Sequence, residues 1–388
     1  MRRFFPVFIA LLTSASLGQE SPYAQWKHGP PTDPSFFPIA VWLQSPSLAP
    51  KYKTAGFNIY MALWRGPTDS QLAELKAAGM YLICDQNRVA LAHLDDPTIV
   101  GWMQPDEPDN AQEVRDPVTG KRSYGPPTKP EKIVADYQKM KERDPSRPIY
   151  LGLGQGVSFD EWKGRGSAGK PEDYPIYVQG GDIISYDIYP VASLPKPNPQ
   201  DYLYLVPKGV DRIHAWTGGK KIQWNVIECT HIHDANRQAT PHQVKAEVWM
   251  SLIHGSTGIV YFVHQFVPKF DEHALLDDPQ MLAAVTGINQ QVHELAPVLN
   301  SPSVDGVKVK SSDEKTPIDA MAKRSGNATY IFAVGMRNAP AKGTFTVAGS
   351  KDGASIEVIG EDRKLSSHDG AFEDDFQPHD VHLYRIAD

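Results

Sequence analysis

Residues 240–264, TPHQVKAEVWMSLIHGSTGIVYFVH, hold one helix and the strand that follows it. Thr240 offers a side-chain oxygen to cap the first free N–H groups, and Pro241 sits at the first helical position, where its missing N–H costs nothing. Val244, Val248 and Leu252 recur at helical spacing. Gly255 follows His254, where a left-handed residue ends a helix at no steric cost. The chain then switches to GIVYFV (258–263), a β-branched and aromatic run of strand type.

Moving outward from this unit, the same texture recurs. Strand-like runs are FPIAVWL (37–43), FNIYMAL (57–63), YLICD (81–85), IVGWMQ (99–104), IYLGL (149–153), IISYDI (183–188) and IQWNVI (222–227), which with GIVYFV make eight. Helical patterns fall between them at 70–78, 130–143, 199–217 and 241–254, and a last one follows at 278–299. Eight βα units in this span match a (β/α)8 barrel, whose typical size is about 250 residues. A doubly wound open sheet would want a glycine-rich phosphate loop after its first strand, and none is present.

After Leu299 the pattern changes. VDGVKVK, ATYIFAVGM, KGTFTVAG, ASIEVIGE and DVHLYRI alternate with Gly, Asn, Asp and Pro, which predicts a small antiparallel, sandwich-like β domain over 300–388. The barrel spans 19–299. Residues 1–18 read as a secretory leader: Arg2 and Arg3, an apolar stretch from Phe4 to Leu12, then small residues before Gln19. The expected product is secreted or periplasmic. The Pro- and Gly-rich segment 109–129 reads as a long loop of the kind that carries function.

Composition narrows the partners. With 39 Lys+Arg against 46 Asp+Glu the chain carries −7, which disfavours nucleic acid and anionic membrane as partners. Cys84 and Cys229 are the two cysteines, too few for a disulfide framework, and they read as buried hydrophobes.

In a barrel the chemistry sits at the C-terminal ends of the strands. Two carboxylates stand there: Glu107 in GWMQPDEPD (101–109) and Glu228 in IQWNVIECT (222–230). Facing each other across the mouth, such a pair can protonate a leaving oxygen and attack an anomeric carbon. Singly, each is equally readable as a strand-end surface acid. Sugar rings pack on aromatic faces, and Trp42, Trp64, Trp102, Tyr186 and Tyr189 end or flank the strands; Asp85, Asn87, Asp106, His231 and His264 are candidate hydroxyl binders. The predicted partner is an oligosaccharide or polysaccharide.

These residues resemble the clan A glycoside hydrolases. The likeness rests on acids after strands four and seven, Asp106-Glu107-Pro108 at strand four, Tyr186–Pro190 at strand six, and the 240–264 unit, which looks like the last unit of family 42-type barrels. It implies a retaining double displacement with Glu107 as acid/base and Glu228 as nucleophile, needing no cofactor. Asp106 stands where the clan usually has Asn, and His264 where many members have a stacking Trp. Two further readings stay open: a non-catalytic sugar-binding barrel, and metal-assisted hydrolysis through His231 and His233, which needs further ligands.

Overall fold

The computed structural model describes residues 20–161, 170–194 and 199–387, so the leader lies outside the described residues. The barrel strands begin with β1 (Ile39–Trp42), β2 (Ile59–Met61), β3 (Tyr81–Cys84) and β4 (Ile99–Met103). After β4 the chain makes an antiparallel hairpin, β5 (Glu113–Arg115) and β6 (Arg122–Tyr124), inside the segment that its composition predicted to be loop throughout. The barrel resumes with β7 (Ile149–Leu153), β8 (Ile183–Tyr186), β9 (Ile222–Gln223), β10 (Asn225–Glu228) and β11 (Ile259–Phe262).

The parallel sheet runs β10-β11-β1-β2-β3-β4-β7-β8-β9. Its two ends are halves of one strand interrupted at Trp224: β9 pairs with β8 and β10 pairs with β11, so nine pieces make eight barrel staves. Helices α1 (Ala49–Thr54), α2 (Asp69–Ala77), α3 (Arg88–Ala92), α4 (Pro130–Arg143), α5 (Tyr174–Tyr177), α6 (Leu205–Thr217), α7 (Pro241–Ile253) and α8 (Pro279–Leu299) cover the outside. The α7 cap is reciprocal: Thr240 Oγ1 accepts the Gln243 N–H, and Gln243 Oε1 accepts the Thr240 N–H.

Strand alternation divides the core into two layers. Ile39, Val41, Tyr60, Leu82, Trp102, Leu151 and Ile227 face the helices, while Ala40, Trp42, Ile59, Met61, Ile83, Tyr150, Val226 and Val260 fill the barrel. Tyr23 and Trp26 join the inner layer, and the Trp224 indole donates to the Tyr23 hydroxyl at 2.8 Å.

Beyond α8 lie two antiparallel sheets. One is β12 (Val307–Ser311), β15 (Ala341–Val347) and β18 (Ala371–Phe376). The other runs β13 (Ile318–Ser325), β14 (Ala328–Gly335), β19 (Val381–Ala387), β16 (Ser355–Val358) and β17 (Arg363–Ser366). Phe345, Phe372, Phe376 and Tyr384 form the core between them, with Phe345 stacked on Phe372 at 4.8 Å. Trp249 of α7 meets Phe332 of β14 at 5.1 Å, fixing this domain against the barrel's flank. No described helix is long and apolar enough to cross a membrane.

Candidate functional site

The barrel mouth is built by the residues just past each strand, and several pay a conformational cost to be there. Leu43 (φ 44°), Ala62 (φ 60°), Arg65 (φ 52°) and Glu107 (φ 41°) all adopt left-handed backbone without being glycine, and all lie beyond β1, β2 or β4. Such strain persists only where the surroundings over-determine it, and it gathers at functional edges. At Glu107 the bend is anchored by its N–H, which donates to the Gly152 carbonyl at 3.1 Å.

Glu107 acts electrostatically on an acid two staves along the barrel wall, at the end of β8. On β8, Ile183 points inward and Ile184 and Tyr186 outward, so the period of two carries Asp187 into the mouth. Burial is the main force holding the Asp187 carboxyl well above the usual carboxylate range. The Glu107 charge is the next contribution, and Asp106 and Asp109 add to it, whereas a hydrogen bond from Tyr189 pulls the other way. Asp109 lies behind Glu107, accepting the Gly154 N–H at 2.9 Å and the Tyr174 hydroxyl at 3.0 Å. Its burial, with Glu107 adding, raises it to about 6. Gly154 leaves room for the cluster: a Cβ there would stand 3.0 Å from Glu107 Oε1. The Asn110 amide donates to Glu107 Oε2 at 3.3 Å.

An aromatic rim starts at this pair. Tyr189 packs on Phe262 (5.1 Å), Phe262 on His264 (5.2 Å), and His264 stacks on Trp64 (5.9 Å, 14° between planes). Phe270 meets both Trp64 and His264, and Phe266 stacks on Phe270 and on His233. Trp64, Phe266 and Phe270 are 43%, 42% and 52% exposed, an unusual expense of aromatic surface for side chains with no interior role. The Trp64 indole donates to Glu272 Oε2 at 2.6 Å, and His264 Nε2 lies 3.0 Å from the Leu43 carbonyl, so the rim is held in place.

Other sequence candidates sit elsewhere. Glu228 is fully buried, and its two carboxylate oxygens accept the Val191 and Ala192 N–H groups at 2.6 and 2.7 Å. The turn after β8 covers it, so both oxygens of the acid expected to pair with Glu107 are engaged by backbone N–H groups. Trp102 faces the helices: a register shift in the β3–β4 ladder leaves it outward, donating to Asp144 at 3.0 Å with Arg147 over its ring. Tyr186 points outward to the Leu205 and Val206 carbonyls, in a space kept by Gly209, whose Cβ would collide with its ring. Asn87 caps α3, accepting the Ala90 N–H at 2.8 Å, and donates to the Pro67 carbonyl. Asp85 lines a hollow of about 310 Å³ with Gln86, Gln104 and Met140, between β3, β4 and α4. Trp42 is 8% exposed and part of the barrel filling. Asp106 is exposed at the mouth, and its Oδ1 lies 3.4 Å from where a Gly152 Cβ would stand.

The His231 and His233 rings take different partners, the Arg237 carbonyl (3.1 Å) and Ser193 Oγ (2.9 Å). Among the described residues the group with ligand-like geometry is Asp271, His273 and Asp277 on the loop after β11, which includes neither. Cys84 and Cys229 are free and buried.

Asp109, Phe266 and Phe270 are mouth residues that sequence reasoning passed over, and Asp187 is one that it left undecided between holding a loop and touching substrate. Asp187 alone had a signal, its odd-numbered place after Ile183 and Ser185 on a strand whose even positions are apolar.

No family model matches the chain, and no curated protein matches it. Solved structures do. An AmyP variant bound to maltotriose aligns with TM-score 0.51 at 9% identity, over 90% of this chain and 97% of that one. A putative α-galactosidase from Bacteroides fragilis aligns with TM-score 0.51 at 10% identity, over 91% of this chain and 80% of that one. At these identities the likeness is one of fold, a parallel barrel followed by a β domain, and that fold is the one the resemblance in sequence implies.

Proposed function

We propose that this protein is a retaining glycoside hydrolase whose working carboxyls are Glu107 and Asp187. The observation that carries the proposal is that both acids follow their strands into the barrel mouth, where Glu107 is the strongest charged influence on a half-buried Asp187 whose Oδ1 is shielded from solvent and has no hydrogen-bond partner. Two acids whose environments differ divide the labour. Asp187, held protonated by burial and by its acidic neighbours, donates its proton to the glycosidic oxygen as the bond breaks. Glu107, half-open to solvent and steadied by Asn110, attacks the anomeric carbon and forms the glycosyl-enzyme. Asp187, now a carboxylate, takes a proton from water, which displaces the sugar and frees Glu107. This order requires the two carboxyls about 5–5.5 Å apart with sugar bound.

The rim of Trp64, His264, Phe266 and Phe270 supports a sugar substrate, since it offers ring faces beside hydrogen-bonding carboxylates. AmyP, which shares the fold, is seen with maltotriose and with maltose. The acidic mouth favours a neutral oligosaccharide or polysaccharide over an anionic one, and the leader read in residues 1–18 favours export. The test is a screen of aryl glycosides and neutral oligosaccharides with wild type, Glu107→Gln and Asp187→Asn, the anomer of the first product being followed by NMR. Retention of configuration, with both variants inactive, is the expected result. Inversion, or turnover by either variant near the wild-type rate, would overturn the assignment.

A further inference from the structure

Behind the mouth, two acids lie together shielded from solvent. Glu228 at the end of β10 and Glu247 on α7 are both fully buried. Glu228 already spends its oxygens on the Val191 and Ala192 N–H groups. Neither Glu247 carboxyl oxygen, by contrast, has a partner of good hydrogen-bond geometry, and the carboxyl lies against the side chain and backbone of Glu228. Two buried carboxyls can lie side by side only if a proton is held between them, because two adjacent charges in such a place are too costly. One Glu247 oxygen therefore carries the acid proton and donates it to the Glu228 carboxylate.

We propose that Glu228 and Glu247 form a proton-sharing clamp whose anionic member, Glu228, holds the Val191–Ala192 turn and with it Asp187 and Tyr189 at the barrel mouth. The proposal rests on the glycosidase reading for its effect on rate, but the clamp itself is independent of it. Glu228 is thus a positioning residue, acting on the reaction through the backbone that follows Asp187. Burial pushes both acids up, Glu228 to about 7, against the two N–H bonds and the Arg237 charge, which favour its ionised form. The other titratable groups around the pair are Cys229 beside Glu228, Tyr261 of β11 and Tyr186 of β8; burial keeps all three neutral. Loss of the shared proton at alkaline pH leaves two charges in the core and releases the turn.

The test joins amide hydrogen exchange with kinetics. In wild type the Val191 and Ala192 amides should be protected near pH 7 and lose protection in one step as the pH rises. Glu247→Gln puts a fixed amide donor toward Glu228 and should abolish that step while keeping neutral-pH protection. Glu228→Gln accepts through a single oxygen, so it should deprotect at least one of the two amides and lower kcat about 10²-fold with little change in KM, the scale expected for a displaced acid. Azide should not rescue Glu228→Gly but should rescue Glu107→Gly, giving a glycosyl azide. Azide rescue at 228 would overturn the clamp and make Glu228 the nucleophile. Exchange at Val191 and Ala192 indifferent to both substitutions would overturn it as well. Should no glycoside be turned over by wild type, the proposed activity fails while the exchange data still decide the clamp.

Discussion

Gly154→Ala tests the site without replacing either acid. Gly154 has φ −87° and ψ −174°, backbone that alanine adopts freely, and its N–H bond to Asp109 needs no side chain. What the methyl meets is Glu107 Oε1 at 3.0 Å and Asp109 Oδ2 at 3.6 Å. An ordinary carbon–oxygen contact is roughly 3.4 Å, so the Glu107 carboxyl must retreat by about 0.4 Å. If a misplacement of 1 Å costs about 10²-fold in rate, 0.4 Å costs about sixfold, or about 1 kcal/mol in the barrier. The loss should appear in kcat on the best glycoside, with KM and melting temperature close to wild type. Gly152→Ala, whose methyl meets Tyr150 at 3.3 Å and Asp106 Oδ1 at 3.4 Å, is the control and should cost less than threefold. A Gly154→Ala enzyme with wild-type kcat would refute a role for the Glu107 carboxyl in the slow step. A fall in kcat that follows a fall in melting temperature would refute the local reading.

Trp64→Ala removes the largest exposed ring of the rim and should raise KM about tenfold with kcat within threefold, a loss of about 1.4 kcal/mol in binding; a kcat-only effect in steady-state kinetics would contradict the platform. Trp102→Phe loses the hydrogen bond to Asp144 and should cost about 1–3 kcal/mol in denaturant unfolding with kcat unchanged, and reduced kcat at equal stability would return Trp102 to the site. His254 bridges Asp211 of α6 (2.9 Å) and Asp319 of β13 (3.1 Å), so it ties the barrel to the β domain. Burial lowers it, but the two hydrogen bonds outweigh burial and lift it to about 9 from 6.5. A raised folded-state value means stabilisation that is complete below pH 6.5 and lost as the pH rises to about 9; its ceiling near pH 7 is about 2.5 kcal/mol. Solvent at the two open carboxylates reduces this to about 1–2 kcal/mol, so His254→Gln should be less stable than wild type at pH 6 and equal to it near pH 9.5. A gap that does not vary with pH in chemical denaturation would contradict this account.

How much of this could be read from the sequence depended on the range of the forces involved. The eight strands were legible because each is a short apolar run bounded by turn residues, and α4 and α7 because their prolines and their polar ends mark the boundaries locally. The hairpin β5–β6 was not legible: every residue of Glu113–Arg115 and Arg122–Tyr124 is exposed, so no buried face marks them. Glu107 could be singled out because Asp-Glu-Pro at a strand end is a local signature. Glu228 has an equally good one, and only the turn from 189 to 194, brought from another stave to cover it, shows that its oxygens are spent. Trp102 illustrates the same limit, since a one-residue shift against β3 sends it outward and nothing in IVGWMQ announces the shift.

The base of the barrel has a consequence for the order in which the chain can assemble. Tyr23 hydrogen-bonds to Trp224 and to the Thr257 carbonyl, and a Gly258 Cβ would overlap the Trp224 ring, so the seal is drawn from both ends of the barrel sequence. The segment that closes the bottom is made first but has nothing to close until the seventh and eighth staves exist. Contacts spanning this much chain are the slowest to form, because the loop must be gathered before they yield any energy. Closing the barrel from beneath thus carries the longest loop of any of these contacts, which places it late in assembly on entropic grounds.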